Sequence, residues 1–296
     1  MSTLAARAPR RHSLSVLLIC HNEADRIDAC LASVAGWADE IVVFDSGSGD
    51  ATIEIAQRYS DRIYITDWPG YGAQRQRALD AARGDFILAL DADEAVTPAL
   101  RAEIDDELSA ATPRAVAYRI RWQPLLLGRR LRFGGRYASP QKRLFRRDGA
   151  HYAPATVHEN VSFPPGPVLT LKARIEHDSY RDYHHAVGKH ARYAWLLAQE
   201  KHARGEQCSL WFAPLRGSFE FLLQYLGRGL IFEGRRGVLL SLLLAQYAHQ
   251  KYAALWTLTA SNAPRRAEFD RERRIAAAPA PVLEVEPLQA PLRWLL

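Results

Sequence analysis

The chain has 296 residues, 48% hydrophobic and 24% charged, with a formal net charge of +6. That composition excludes disordered, collagen-like and disulfide-scaffold classes, and the length provides for one large domain or two modest ones. Three widely spaced cysteines, Cys20, Cys30 and Cys208, make no zinc motif and no disulfide framework, so a reduced, cytosolic protein is expected.

Residues 1–12 carry Arg7, Arg10 and Arg11 but no apolar run of signal-peptide length, and are expected to be a flexible N-terminus. Residues 14–20 are apolar and bounded by polar residues, as a buried parallel strand should be. Residues 24–34 place Ile27, Leu31 and Val34 on one helical face. Strands are predicted at 40–44, 62–66 and 86–90, and helices at 51–59 and 73–83, the second stopped by Gly84. This alternation predicts a mostly parallel sheet with helices on both faces. Thr97-Pro98 starts a further helix over 99–108. Short strands at 116–122, 131–133, 142–146 and 168–175 then suggest an antiparallel extension. Between them, 137–140 and 151–167 are irregular and expected to fold over the site. The expected organisation is an α/β domain over 13–180, a helical region over 181–262 and a loosely ordered tail over 263–296.

Charge divides along the chain. Residues 13–112 hold 7 Lys+Arg and 19 Asp+Glu, whereas 113–296 hold 29 and 14. The basic second half suggests an anionic partner, whether nucleic acid, membrane surface or phosphorylated glycolipid. Its greasiest stretch, 237–248, is too short to cross a hydrocarbon core that needs about 20 residues. Over 211–259 aromatic and basic residues are mixed, which suits either an interfacial helix or a buried helical pair packed on the sheet.

In a parallel sheet, ligands sit beyond the carboxyl ends of the strands. The loops there are His21-Asn22-Glu23, Asp45-Ser46-Gly47-Ser48-Gly49-Asp50, Asp67-Trp68 and Asp91-Ala92-Asp93-Glu94, and every one is acidic. Asp91-Ala92-Asp93 gathers hard oxygen ligands suited to Mg²⁺ or Mn²⁺ on a diphosphate, although capping of the following helix is an alternative use. Asp45 is a candidate for accepting hydrogen bonds from a base or ribose, with Asp50 mainly structural. The segment from Gly70 to Arg77 begins a helix whose N-terminus and arginines suit phosphate oxygens.

Taken in order, Cys20-His21-Asn22-Glu23, Asp45 to Asp50, Trp68-Pro69-Gly70-Tyr71-Gly72-Ala73-Gln74-Arg75 and Leu90-Asp91-Ala92-Asp93-Glu94 resemble glycosyltransferase family 2. Within it, the likeness is to bacterial lipopolysaccharide core glucosyltransferases, over residues 13–260. The resemblance implies a GT-A fold, a nucleotide-sugar donor, Mg²⁺ or Mn²⁺, and inversion at the anomeric carbon. It implies further that Asp45 and the Asn22-Glu23 loop contact uridine and that Asp93 binds the metal. Asp91 would lie by the ribose or the metal-bound diphosphate, and Arg75 near the nucleotide. Many relatives have Arg-Asn where this chain has Arg75-Gln76, so the resemblance does not carry over the detailed donor contact there. An inverting transfer also needs a base. In Val157-His158-Glu159-Asn160, where relatives place an acidic base, Glu159 is the candidate, and His158 is the alternative because imidazole titrates near neutrality.

His177 is a candidate to complete the metal shell or hold the diphosphate, against a purely structural role. His184, His185, His190 and His202 read as a solvated helical face. Arg129, Arg130, Arg132, Arg136, Lys142, Arg143, Arg146 and Arg147 form a basic cluster suited to acceptor phosphates. The resulting expectation is a peripheral enzyme at the inner face of a bacterial cytoplasmic membrane, moving a hexose from a UDP-sugar to a lipopolysaccharide core sugar, with no nucleic-acid partner. Transfer to a polyprenyl-phosphate or another envelope glycan is the alternative acceptor. Outside enzymes, an anionic-polymer or nucleic-acid binding protein would explain the basic half, but the acidic loops oppose phosphates and no recognition motif is present. A dinucleotide oxidoreductase is disfavoured because no Gly-x-Gly-x-x-Gly follows the first strand.

Overall fold

The computed structural model describes residues 10–133, 140–153 and 161–260. β1 (Leu14–Cys20) is buried along its whole length, as an apolar strand with neighbours on both edges must be. After it come α1 (Ile27–Ala32), β2 (Glu40–Asp45), α2 (Thr52–Ala56), β3 (Ile63–Ile65), α3 (Tyr71–Ala81) and β4 (Phe86–Asp91). β1 pairs in parallel with β2 and β4, and β3 adds in parallel outside β2. Alternation along β1 separates two cores. Leu14, Val16 and Leu18 pack with Ile27 and Leu31 of α1, while Leu17 and Ile19 pack with Ala78 and Leu79 of α3. Helices therefore cover both faces, as the sequence pattern predicts.

The link from α3 to β4 passes close to β1. A methyl group on Gly84 would lie 2.6 Å from Ser15 Oγ and 2.7 Å from Ser15 N. Gly84→Ala is expected to destabilise the fold by about 1–3 kcal/mol, because strand backbone cannot yield as a flexible side chain does. Chemical denaturation checks this, and an unchanged midpoint would mean that β1 shifts freely.

The second half begins with β5 (Glu94–Val96) and α4 (Pro98–Ser109), whose Thr97 cap accepts from Leu100 N at 3.2 Å. β6 (Ala117–Leu126), β7 (Arg129–Arg130), β8 (Gln141–Arg146), β9 (His151–Tyr152), β10 (Val161–Ser162) and β11 (Val168–His177) follow. The main sheet runs β3-β2-β1-β4-β8-β6-β11-β5, with β7 paired to β6. β8 is antiparallel to β4 and to β6, so the expected antiparallel extension exists, but β11 then pairs with β6 in parallel. Two reversals make β6 and β11 run with β4, and β11 delivers its last residue, His177, to the edge where β1, β2 and β4 end. The strand expected at 131–133 is replaced by β7. Leu127 and Gly128 both take positive φ, 50° and 69°, and close a two-residue hairpin that sets the pairing earlier.

The helical region consists of α5 (Tyr183–Ala203), α6 (Phe212–Leu222) and α7 (Arg235–Ala260), with a π-helical turn at Leu223–Gly227 and a 3₁₀ turn at Leu230–Glu233. None of the described helices is long and apolar enough to cross a membrane. Two expectations need correction. Residues 10–12 are docked rather than flexible: Arg11 N and His12 N donate to Leu108 O, and Arg10 pairs with Asp39 and Asp105. His190 is buried, not solvated, between the Tyr180 hydroxyl at 2.8 Å and Leu243 O at 3.2 Å, because α7 packs over that face of α5. The tail expected at 263–296 lies outside the described residues.

Candidate active site

The loops after β1 and β2 are tied into one floor. Asn22, at φ 55°, accepts from Gly49 N at 2.8 Å through its side chain, and its own N–H donates to Ser48 Oγ at 2.8 Å. A side-chain amide that tolerates left-handed backbone explains Asn at this turn. Asp45 is fully buried beneath it and accepts from Gly47 N at 2.8 Å and Ser48 N at 2.7 Å. Its carboxylate therefore shapes the loop. Asp50, in the turn before α2, accepts from Thr52 N at 3.1 Å and from Ala24 N at 3.2 Å, the structural role expected of it. Glu23 receives Arg181 at 2.9 Å, yet burial outweighs that charge and raises the Glu23 pKa.

The Asp91-Ala92-Asp93 turn is held by a buried charge network. Asp91 pairs with Arg75 and Arg143, and Arg143 also reaches Glu94 Oε1 at 2.6 Å. Glu94 Oε2 accepts from Asp91 N at 3.0 Å, and its Oε1 accepts from Trp122 Nε1 at 2.7 Å. Burial works to raise the Asp91 pKa, but Arg143 and Arg75 overcome it and hold the carboxyl far below its ordinary range. In Glu94 burial wins and the pKa is raised despite Arg143. Arg75 is buried under Asp91, so the two residues predicted to meet the nucleotide separately form one unit. Gln76 is turned elsewhere: its Oε1 accepts from Tyr152 N at 2.7 Å, pinning α3 to β9.

Asp93 faces the other way. Its Oδ2 is 3.4 Å from His177 Nε2, 3.5 Å from Arg26 Nη1 and 3.8 Å from Lys189 Nζ. His177 stacks on Trp122, ring centroids 4.5 Å apart, and its Nδ1 is 3.0 Å from Ser179 Oγ. Burial opposes charge on His177, but the Asp93 bond and the neighbouring carboxylates prevail and raise its pKa. Burial likewise opposes charge on Asp93, and His177 with Lys189 prevails to lower its pKa. Among the described residues no three His, Cys, Asp or Glu side chains converge as a metal site. Asp93 nonetheless offers the hard carboxylate oxygen that suits Mg²⁺ or Mn²⁺, with His177 a softer donor that suits Mn²⁺ better, and either ion takes few protein ligands and completes its shell with phosphate oxygens and water.

Sequence reasoning brings Asp91, Asp93 and His177 to one place, and the structure agrees. It read Glu94 with the oxygen ligands of the acidic loop, whereas Glu94 is buried and bonded to Arg143, Trp122 and Asp91 N. It missed Arg26, Lys189 and Arg181, and the last two come from the helical region and carry no local mark. The expected basic cluster is not one patch. Arg143 is buried beneath Asp91, and antiparallel β8 carries Arg146 to the far edge of the sheet, opposite Phe86 at the start of β4. Arg130 pairs with Glu176, and Arg136 lies outside the described residues. Glu159 and His158 also lie outside them, as does most of the irregular 137–140 stretch.

A sequence profile described as glycosyl transferase family 2 matches residues 15–155. An uncharacterized glycosyltransferase of Rickettsia bellii is 30% identical over 208 residues, which span 66% of this chain and 70% of that protein. The chain belongs to glycosyltransferase family 2. The lipopolysaccharide core biosynthesis glycosyltransferase LpsC of Rhizobium meliloti is 29% identical over 254 residues, 81% of this chain and 93% of LpsC. As a family member the chain is a glycosyltransferase, and its mixed, mostly parallel sheet with helices on both faces is the α/β fold expected. Among solved structures, residues 1–349 of TarS from S. aureus align with TM-score 0.41 at 17% identity over 64% of this chain and 65% of that one. Glucosyl-3-phosphoglycerate synthase of Mycobacterium tuberculosis, in complex with Mn²⁺, UDP and glucosyl-3-phosphoglycerate, aligns with TM-score 0.33 at 24% identity over 38% and 44%. The chain thus spans less than two thirds of either solved chain.

Proposed function

We propose that this glycosyltransferase moves a hexose from a UDP-sugar to a sugar of a phosphorylated lipopolysaccharide core, with inversion, at the inner face of the bacterial cytoplasmic membrane. The observation that carries the donor half is the pairing of Asp93 with His177 beside the floor built from Asn22, Asp45 and Gly49. LpsC, similar over most of its length, supports the acceptor class. Asp93 and His177 would hold Mg²⁺ or Mn²⁺, whose chemistry is to neutralise charge growing on the leaving diphosphate. Asp91, kept ionised by Arg75 and Arg143, fixes the turn that presents Asp93 and offers its remaining oxygen surface toward the ribose. Asn22 and Glu23 line the uridine side, with Asp45 setting the loop from below. Lys189 and Arg26 place positive charge beside the diphosphate. Glu159 takes the proton from the acceptor hydroxyl as that oxygen attacks the anomeric carbon, and His158 is the alternative base.

Calorimetry with UDP, with and without Mn²⁺, tests the reading. At a UDP concentration a hundredfold above Kd the expected stabilisation is about 2.7 kcal/mol, and it should require the metal. The metal needs neutral His177, whose pKa lies above the ordinary 6.5, so affinity should rise with pH through that range and binding should release a proton. Comparing buffers of different ionisation enthalpy measures the proton. UDP binding that ignores both metal and pH would remove His177 from the metal site.

A further inference from the structure

α6 is amphipathic in the reverse sense for a helix of a soluble fold. Its contact with α7 is made by Phe212, edge-on to Tyr252 with ring centroids 4.8 Å apart, and otherwise by small residues: Ala213 and Gly217 are buried, and a methyl group on Gly217 would come within 3.2 Å of Ala245 O and His249 Cβ. A row of other large apolar residues points the opposite way. Trp211, Leu215, Phe219, Leu222 and Leu226 recur at intervals of three and four and are each more than half exposed, as is Phe232 in the following turn. Soluble monomers rarely leave such an apolar stripe open.

We infer that this stripe is the face by which the protein docks on an anionic lipid bilayer, lying in the interface without crossing it. The inference gives the membrane placement of the proposed function a location in the fold, and it does not depend on the donor assignment. Two observations select lipid over another occupant, and a third limits how it is held. Residues 211–259 contain five basic side chains, Arg216, Arg228, Arg235, Arg236 and Lys251, against two acidic ones, Glu220 and Glu233. A second copy seated across a twofold axis would set that basic excess against itself, whereas anionic headgroups complement it. Trp and Phe on the stripe match the aromatic preference of the headgroup boundary. Finally, with no described helix fit to cross a membrane, attachment through these helices is confined to the interface.

The test uses the full chain and sedimentation with vesicles of phosphatidylethanolamine and phosphatidylglycerol, beside vesicles of phosphatidylcholine alone. The wild-type protein should sediment with the anionic vesicles and be released by salt. Leu215→Glu combined with Phe219→Glu should weaken partitioning by about a hundredfold, since two large side chains no longer enter the bilayer. Because both positions face solvent, the double variant should keep the wild-type unfolding midpoint and the wild-type response to UDP and Mn²⁺. Trp211 supplies a readout that needs no destabilising change: its emission, taken as the difference between wild type and Trp211→Phe, should shift to the blue on vesicles. Wild-type protein that stays in the supernatant overturns the inference, whether residues 261–296 or another protein covers the stripe. So does vesicle binding that the double variant retains in full. A wild-type dimer that the double variant converts to monomer, with no vesicle binding by either, would assign the face to a second copy.

Discussion

Replacing Asp93 with alanine is expected to lower kcat/KM for sugar transfer at least about a thousandfold while the protein stays folded. The side chain stands in the turn between β4 and β5, outside the strand pairing that holds the sheet together. Its neighbours His177, Arg26 and Lys189 all gather on one oxygen, Oδ2. Removing the carboxylate takes away the main influence that raises the His177 pKa, so that titration should move downward, and NMR of the ring can follow it. The two results belong together. A collapse of transfer with the His177 shift and a cooperative unfolding transition would place the loss in the site, and Asp93→Asn should behave alike because shape without charge does not hold a divalent cation. Turnover within tenfold of wild type would end the metal role of Asp93.

The sheet-forming half of the chain was readable because its signals are local. β1 matches its predicted span of 14–20, and β2 and β4 extend only one residue beyond theirs, since a buried parallel strand is a continuous apolar run with polar ends. Helices α1 and α2 are shorter than predicted. Ala24 is drawn into the loop by Asp50, and residues beyond Ala32 and Ala56 continue as turns. β5 was missed because Glu94 reads as a ligand of the acidic motif, whereas its side chain is buried under it. Arg143 was misplaced for a related reason. In sequence it sits among arginines that look like one surface, but on strand β8 alternation turns it inward while its neighbours face elsewhere. Long-range pairing of that kind, across 52 residues to Asp91, leaves no mark that periodicity can detect. The likeness to family 2 was carried by four short loops, and those are the loops the fold brings to one edge.

Arg143→Met should cost about 3–5 kcal/mol of stability and lower transfer as a consequence of a disordered Asp91 turn. Arg143 is almost wholly buried between Asp91 and Glu94, and methionine fills much of the space but leaves both carboxylates short of their partner. The pH dependence follows from the signs. In the wild type the Asp91 pKa is depressed, so its contribution to stability is complete above the ordinary carboxylate range and is lost only as pH falls through the lower, folded value. In the variant Asp91 keeps Arg75 alone and Glu94 loses its charged partner, so both folded pKa values rise. Folding then takes up protons that the wild type does not need, and the deficit should be greatest at neutral pH and shrink toward pH values near the carboxylate range. Denaturant midpoints measured across that interval check it, with Arg143→Lys expected between the two because an ammonium keeps the charge but not the fork that spans two carboxylates. A deficit that is the same at every pH would mean that Arg143 matters through packing of its stem, and the charge network beneath the motif would then carry no part of the site's stability.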